Sequence, residues 1–342
     1  MKIAIIADPE LPVPPQYYGG IERIVALLIE GYIRLGHQVS LFAHPDSKTD
    51  AKLFPYSGKS SNSSLDIIKN TWIINKELIA STYDLVHNFG RLLYIFPQLP
   101  FSIPKVMSYQ REPTIAQIKK ATKIAKKNTL IFTGCSAYIS NQIKAFAPSF
   151  AIFNGVNLDL FEFRPNVLSD APLVFLGRIE PIKGADIAIE VAKRTKRKLI
   201  IAGNIPKEHQ SYFNNMIKPH LNKCIIYIGE IDDVQKNKVL GNACALLMPV
   251  QWNEPFGIVM AEAMACGTPI IGFNKGSVPE IIINDYNGYR CDTIDEMVEA
   301  TSKINNIDRK LVRKDAEERF SAPVVVAQYL KLYHQLIQQK LN

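Results

Sequence analysis

One local grammar occurs twice in this chain, and it limits the possible folds more than any other feature. "KIAIIA" at residues 2–7 is an apolar strand, and "DPELPVPPQYYGG" is a loop broken by prolines. A helix follows from about Ile21 to Leu35, with Ile21, Ile24, Val25, Leu28, Tyr32 and Leu35 on one face. Gly36 ends it, and "QVSLFA" is the next strand. "DLVHNF", "PKVMSY" and "TLIFTGCS" are further strand candidates alternating with helical segments. After residue 171 the order restarts: "PLVFLG" is a strand, "RIEPIKG" a loop, "ADIAIEVAKRT" a helix and "KLIIAG" a strand, with "CIIYIGE", "CALLMPV" and "PIIGF" to follow. Such alternation predicts an α/β fold, a parallel sheet with helices on both faces. Two beginnings predict two Rossmann-like domains facing each other, joined through "FNGVNLDLFEFRPNVLSD", with the chemistry in the cleft at the strands' carboxyl ends.

The length of 342 residues suits two domains with separate cores. A composition of 47% hydrophobic and 21% charged residues is that of a soluble globular protein. No apolar run reaches membrane-spanning length, and "MKIAIIAD" is too short for a secretory signal, so it reads as a buried first strand. The five cysteines are scattered without a C-x-x-C pair, which argues against a disulfide framework or zinc site. They read as small buried hydrophobes in a reducing, cytoplasmic setting. The closing segment has Val326, Tyr329, Leu330, Tyr333 and Leu336 at helical spacing and must pack on one of the domains.

The net charge of +8 is grouped in "KKATKIAKK", residues 119–127, and "KRTKRK", residues 193–198. Such runs are ordinarily solvated faces. In the first, Ile115, Ile118, Ala121 and Ala125 fall near helical spacing, with Lys119, Lys120, Lys123, Lys126 and Lys127 mostly off that stripe. A basic amphipathic helix of this kind can lie on anionic lipid, which would place the protein at the inner face of a membrane. Aromatics do not interleave with the basic residues, so no nucleic-acid partner is expected.

Three segments carry candidate chemistry. "GRIEPIKG", residues 177–184, lies between a strand and a helix, where phosphate loops occur. Arg178 and Lys183 there suit a diphosphate as fork and point charge, or are two ordinary surface cations. Gly19 and Gly20 open the first helix and let backbone amides approach an anion. Neither G-x-G-x-x-G nor a Walker loop is present, which counts against a dehydrogenase and a P-loop phosphotransferase. In "NEPFGIVMAEAMACGTPII", residues 253–271, the amides of Phe256, Gly257 and Ile258 sit at another helix start, with Glu254 before it and Glu262 inside it. At about 1.5 Å rise per residue Glu262 lies roughly 7 Å along the axis from Gly257. A retaining glycosidase pair is only about 5 to 5.5 Å apart across one carbon, so the two acids fit opposite ends of an extended polyhydroxylated ligand better. No D-x-D or His cluster precedes a phosphate site, so no metal is required.

These motifs, with "GGIERIVALLIEGYIRLGHQV", "FNGVNLDLF" and "GSVPEIIINDYNGY", occur in an order that resembles retaining nucleotide-sugar glycosyltransferases of family four, which have the two-domain GT-B fold. The resemblance implies an acceptor-side domain at 1–155, a donor domain at 156–320 and a last helix, 321–342, crossing back to the first. It implies sugar transfer from a UDP-, GDP- or ADP-type donor to a hydroxyl acceptor, in glycan, lipopolysaccharide or glycolipid synthesis, with no added cofactor. Arg178 and Lys183 would neutralise the diphosphate, Glu254 would bind sugar hydroxyls beside the Phe256–Ile258 amides, Glu262 would bind the ribose, and Gly19 and Gly20 would meet the phosphates. His87 matches the first histidine of a catalytic H-x-H, but Phe89 replaces the second, and Gln110 stands where a histidine is frequent. An epimerase or hydrolase on the same fold, or a non-catalytic nucleotide-sugar-binding protein, are the alternatives.

Overall fold

The computed structural model describes residues 1–17 and 19–341, the side chains of 339–341 left aside. Tyr18 of the "YYGG" segment and Asn342 of the expected closing span lie outside the described residues. The chain forms two compact units, Met1–Gly155 with Ala322–Asn342, and Val156–Ser321.

The first unit holds a parallel sheet of seven strands in the order β3-β2-β1-β4-β5-β6-β7. The strands are β1 (Lys2–Ile6), β2 (Gln38–Ala43), β3 (Lys52–Pro55), β4 (Leu85–Asn88), β5 (Lys105–Tyr109), β6 (Leu130–Gly134) and β7 (Ser149–Ala151). The central strands are buried along almost their whole length, which is why they read as unbroken apolar runs. The Gly20–Arg34 helix buries Ile24, Val25, Leu28 and Tyr32, but Leu35 lies past its end and is 59% exposed. There Gly36 takes φ 80°, its N–H bonding Ile33 O and that of His37 bonding Tyr32 O, a Schellman stop.

The Ala322–Leu341 helix packs within this unit against Gly20–Arg34. A Cβ on Gly31 would come within 2.4 Å of Val326, so the two backbones approach closely at that glycine. Val326, Tyr329, Tyr333 and Leu336 are buried as the spacing predicted, while Leu330 is half-buried.

The polar tract "SGKSSNSS", residues 57–64, ends in a helix cap: Ser63 accepts a bond from the Asp66 N–H and starts a Ser64–Ala80 helix. The basic helix also ends sooner than the stripe implied, spanning Ile115–Ile124 and leaving Lys126 and Lys127 beyond it.

The second unit holds β8 (Leu173–Leu176), β9 (Leu199–Ala202), β10 (Ile225–Tyr227), β11 (Ala245–Met248), β12 (Ile270–Phe273) and β13 (Gly288–Cys291). They form a parallel sheet in the order β10-β9-β8-β11-β12-β13. Buried Arg309 ties its outer loops together, donating to Arg164 O at 2.7 Å, Ala243 O at 2.9 Å, Gly241 O at 3.0 Å and Thr268 Oγ1 at 2.8 Å. Four of the cysteines are buried, but Cys224 is exposed. Among the described residues no helix is long and apolar enough to cross a membrane.

Candidate functional site

In the second sheet the strand order reverses between β8 and β11, and the two loops leaving their carboxyl ends are those singled out by sequence. Pro181–Lys183 is a short turn after β8, and the Ala185–Thr195 helix starts at Gly184 with φ 77°. A Cβ at Gly184 would lie 2.1 Å from Pro249 O, and the Gln251 N–H donates to Ile182 O at 2.7 Å. The loops are therefore stitched backbone to backbone. After β11 the Ile258–Ala265 helix begins at Gly257, φ 73°. Two helix N-termini thus open beside adjacent strand ends, an arrangement suited to anions and hydroxyls.

The side chains sort differently from a simple pair of cations. Lys183 Nζ lies 2.6 Å from Glu254 Oε2, and Trp252 Nε1 donates to that same oxygen at 2.9 Å. The ammonium also sits 4.8 Å from the Trp252 ring centroid. Glu254 is buried, so its charge depends on these two donors. Its backbone is clamped as well: the Ser277 N–H bonds Glu254 O at 2.8 Å, and Gly276, at φ 60°, lies so close that a Cβ would fall 2.4 Å from Glu254 N and O. Arg178 is engaged by Glu180 at 2.8 Å, whose other oxygen lies 3.6 Å from His209 Nε2.

Glu262 is buried one turn into its helix, and its Oε1 meets Lys236 Nζ at 2.6 Å. Lys236, from the Asp233–Gly241 helix, is also 3.1 Å from Asp233. Phe256 is buried against Phe320, ring centroids 5.7 Å apart, so the site is offered its backbone and not its ring. Sequence reasoning missed Trp252, Lys236, Glu180 and Gly276. Glu180 and Gly276 stood inside quoted motifs and Trp252 just before one, whereas nothing local marks Lys236.

In the first unit Gly19 takes φ 148°, and a Cβ there would lie 2.7 Å from Pro15 and 3.0 Å from Glu22 Oε2. Gly20 is the first helical residue. Nearby, buried Asp8 accepts from the Arg91 N–H and from the Arg111 guanidinium, each at 3.1 Å. Burial raises the Asp8 carboxyl above its ordinary range and takes Glu22 up to about 6. Gln110 accepts from Asn154 Nδ2 at 2.7 Å.

His87 does not fit the catalytic role expected of it. It is fully buried, Nε2 bonds Ser108 Oγ at 2.6 Å, and Nδ1 bonds the Tyr333 hydroxyl. Tyr333 in turn meets the Tyr32 hydroxyl at 2.9 Å. Both ring nitrogens are consumed inside the unit, and burial lowers the imidazole pKa to about 3, so His87 is a neutral tie between the sheet and the last helix.

Residues 161–318 match the family described as Glycosyl transferases group 1. Spore coat protein SA of Bacillus subtilis (strain 168) is 25% identical over 387 aligned residues, covering 97% of this chain and 99% of that protein. Among solved structures, AviGT4, a glycosyltransferase involved in avilamycin A biosynthesis, superposes with a TM-score of 0.77 at 23% identity, over 98% of each chain. Anabaena Alr3699/HepE in complex with UDP-glucose superposes with a TM-score of 0.75 at 17% identity, over 98% of this chain and 100% of that one.

Proposed function

We propose that this chain, which has the GT-B fold, is a group 1 glycosyltransferase that moves a sugar, with retention of anomeric configuration, from a nucleoside diphosphate to a hydroxyl acceptor. The observation that carries this reading is the Lys183–Glu254–Trp252 knot at the reversal point of the second sheet. A buried carboxylate already holding an ammonium is poised for exchange. An arriving diphosphate draws the Lys183 charge, and the freed Glu254 oxygen accepts a sugar hydroxyl in its place. Arg178 supplies a second cation, the amides at Phe256, Gly257 and Ile258 face the polar groups beside it, and Glu262 takes the ribose hydroxyls in exchange for part of its Lys236 contact.

In the reaction the bond from the anomeric carbon to the phosphate oxygen breaks, and its electron pair stays on the diphosphate. The acceptor oxygen bonds the same face of that carbon, and its proton passes to the leaving phosphate. Fixed cations and helix N-termini stabilise the charge that builds on the leaving group. The UDP-glucose complex of a protein with the same fold supports a uridine donor first, with GDP- and ADP-sugars as the other candidates.

A thermal-shift and turnover screen across UDP-, GDP-, ADP- and TDP-sugars tests the reading. One donor class should stabilise the protein and be consumed in the presence of an acceptor. Absence of a shift with every class, or full transfer by Lys183→Ala and Glu254→Gln, would sink it. Consumption of donor with no acceptor dependence would favour hydrolysis or epimerisation.

A further inference from the structure

One face of the first unit carries charge that the transfer chemistry does not use. From Pro113 to Asn157 the chain has no aspartate or glutamate, and none occurs from 322 to 341. These two stretches contribute the Ile115–Ile124 helix, strands β6 and β7, the Ala137–Lys144 helix and the last helix, all within the first unit. Lys119, Lys120, Lys123, Lys126, Lys127 and Lys144 are exposed, and among the described residues none has a carboxylate partner. The other basic run differs: Arg194 pairs with Asp295 at 2.6 Å and Lys198 with Asp170 at 2.9 Å.

Exposed apolar groups lie on the first of these stretches. Phe146, Phe150 and Ile124 are 38%, 44% and 36% exposed, with Lys119 Nζ 4.4 Å from the Phe146 ring centroid. Where the Ile115–Ile124 helix ends, the chain turns past a groove of about 400 Å³ between the edge strand β7 and the last helix. Lys126 and Lys127 stand at its rim, and Leu130, Phe150, Leu332 and Leu336 line it.

We propose that this face docks on an anionic phospholipid bilayer. Unpaired lysines meet headgroup phosphates, Phe146, Phe150 and Ile124 enter the interfacial layer, and the groove admits an apolar part of one lipid. Charge complementarity selects this occupant, because stretches that contribute unpaired lysines and exposed aromatics but no carboxylate of their own match a negatively charged, amphipathic layer. The inference does not depend on the donor reading.

Co-sedimentation of the full chain with phosphatidylcholine vesicles, and with vesicles containing phosphatidylglycerol as well, tests it. Retention on the anionic vesicles only, lost on adding salt, is expected. Reversal of three charges, K123E/K126E/K127E, should weaken binding about a hundredfold, at about fivefold per lysine. Thermal unfolding checks that this variant is folded. K193E/R194E should bind as the parent does, and F150S should bind more weakly with the same salt dependence. Equal retention on both vesicle types, no retention at low salt, an inert triple reversal, or equal loss from K193E/R194E would each overturn the proposal.

Discussion

Lys183 and Glu254 lie 71 positions apart in the chain, yet their charged atoms meet at 2.6 Å, with Trp252 bound to the same carboxylate oxygen. The three side chains come from loops that leave neighbouring strands β8 and β11, so the sheet order itself creates the contact. Lys183→Ala should lower kcat/KM by about a hundred- to a thousandfold, the cost of losing one fixed stabiliser of developing charge. Trp252→Phe keeps the ring under the ammonium but removes one hydrogen bond to a charged group, for a loss of about ten- to a hundredfold. Steady-state rates with the donor found by screening, alongside circular dichroism, check both. Activity unchanged in either variant would remove that residue from the site.

Gly276 offers a separation of geometry from charge. A methyl group there would press on the Glu254 backbone at 2.4 Å and would occupy φ 60°, which side chains rarely adopt. Gly276→Ala should therefore displace Glu254, reducing turnover strongly, with a stability cost of about 1–3 kcal/mol. Comparison of its urea midpoint with its kcat decides whether the effect is local to the site.

The Glu262–Lys236 pair is buried, so removing one partner should hurt more than removing both. Lys236→Met leaves a buried carboxylate facing one less cation and is expected to cost about 3–5 kcal/mol. Lys236→Met combined with Glu262→Gln should recover much of that in urea unfolding while losing donor affinity. A double variant as unstable as the single would mean that the pair is not coupled.

His87 gives the protein an acid-sensitive fastening. Its imidazole is held down to about 3 in the folded protein, against 6.5 when open to water. Between those values the unfolded chain binds the extra proton, so the stability His87 contributes is complete above about pH 6.5 and falls as pH falls toward 3. The slope should reach about 1.4 kcal/mol per pH unit. Unfolding free energies measured from pH 7 down to 4 should show this slope, and His87→Gln should flatten it while lowering stability at pH 7. An unchanged slope in the variant would assign acid sensitivity to other groups.

Much of the architecture was readable because it is written locally. Buried parallel strands such as β1 and β5 appear as apolar runs, and the Gly20–Arg34 helix shows its stripe at 3.6-residue spacing. The weakly patterned edges were not readable. β3 and β7 are short and partly exposed, and the Ser63 cap was hidden in a polar tract. Leu35 satisfied the stripe but fell past the last helical residue, Arg34, just before the stop at Gly36.

By itself the sequence determined the two α/β units, the glycine-opened helix starts and the residue types of the candidate site, since each follows from neighbours a few positions away. Tertiary structure alone decided the partners. Glu262 meets a lysine 26 residues earlier on another helix, and His87 is sealed by Tyr333, 246 residues later, when the last helix packs on the first unit. The free energy of a charge or a hydrogen bond depends on what encloses it, and folding brings together enclosing groups that have no neighbourhood in the chain.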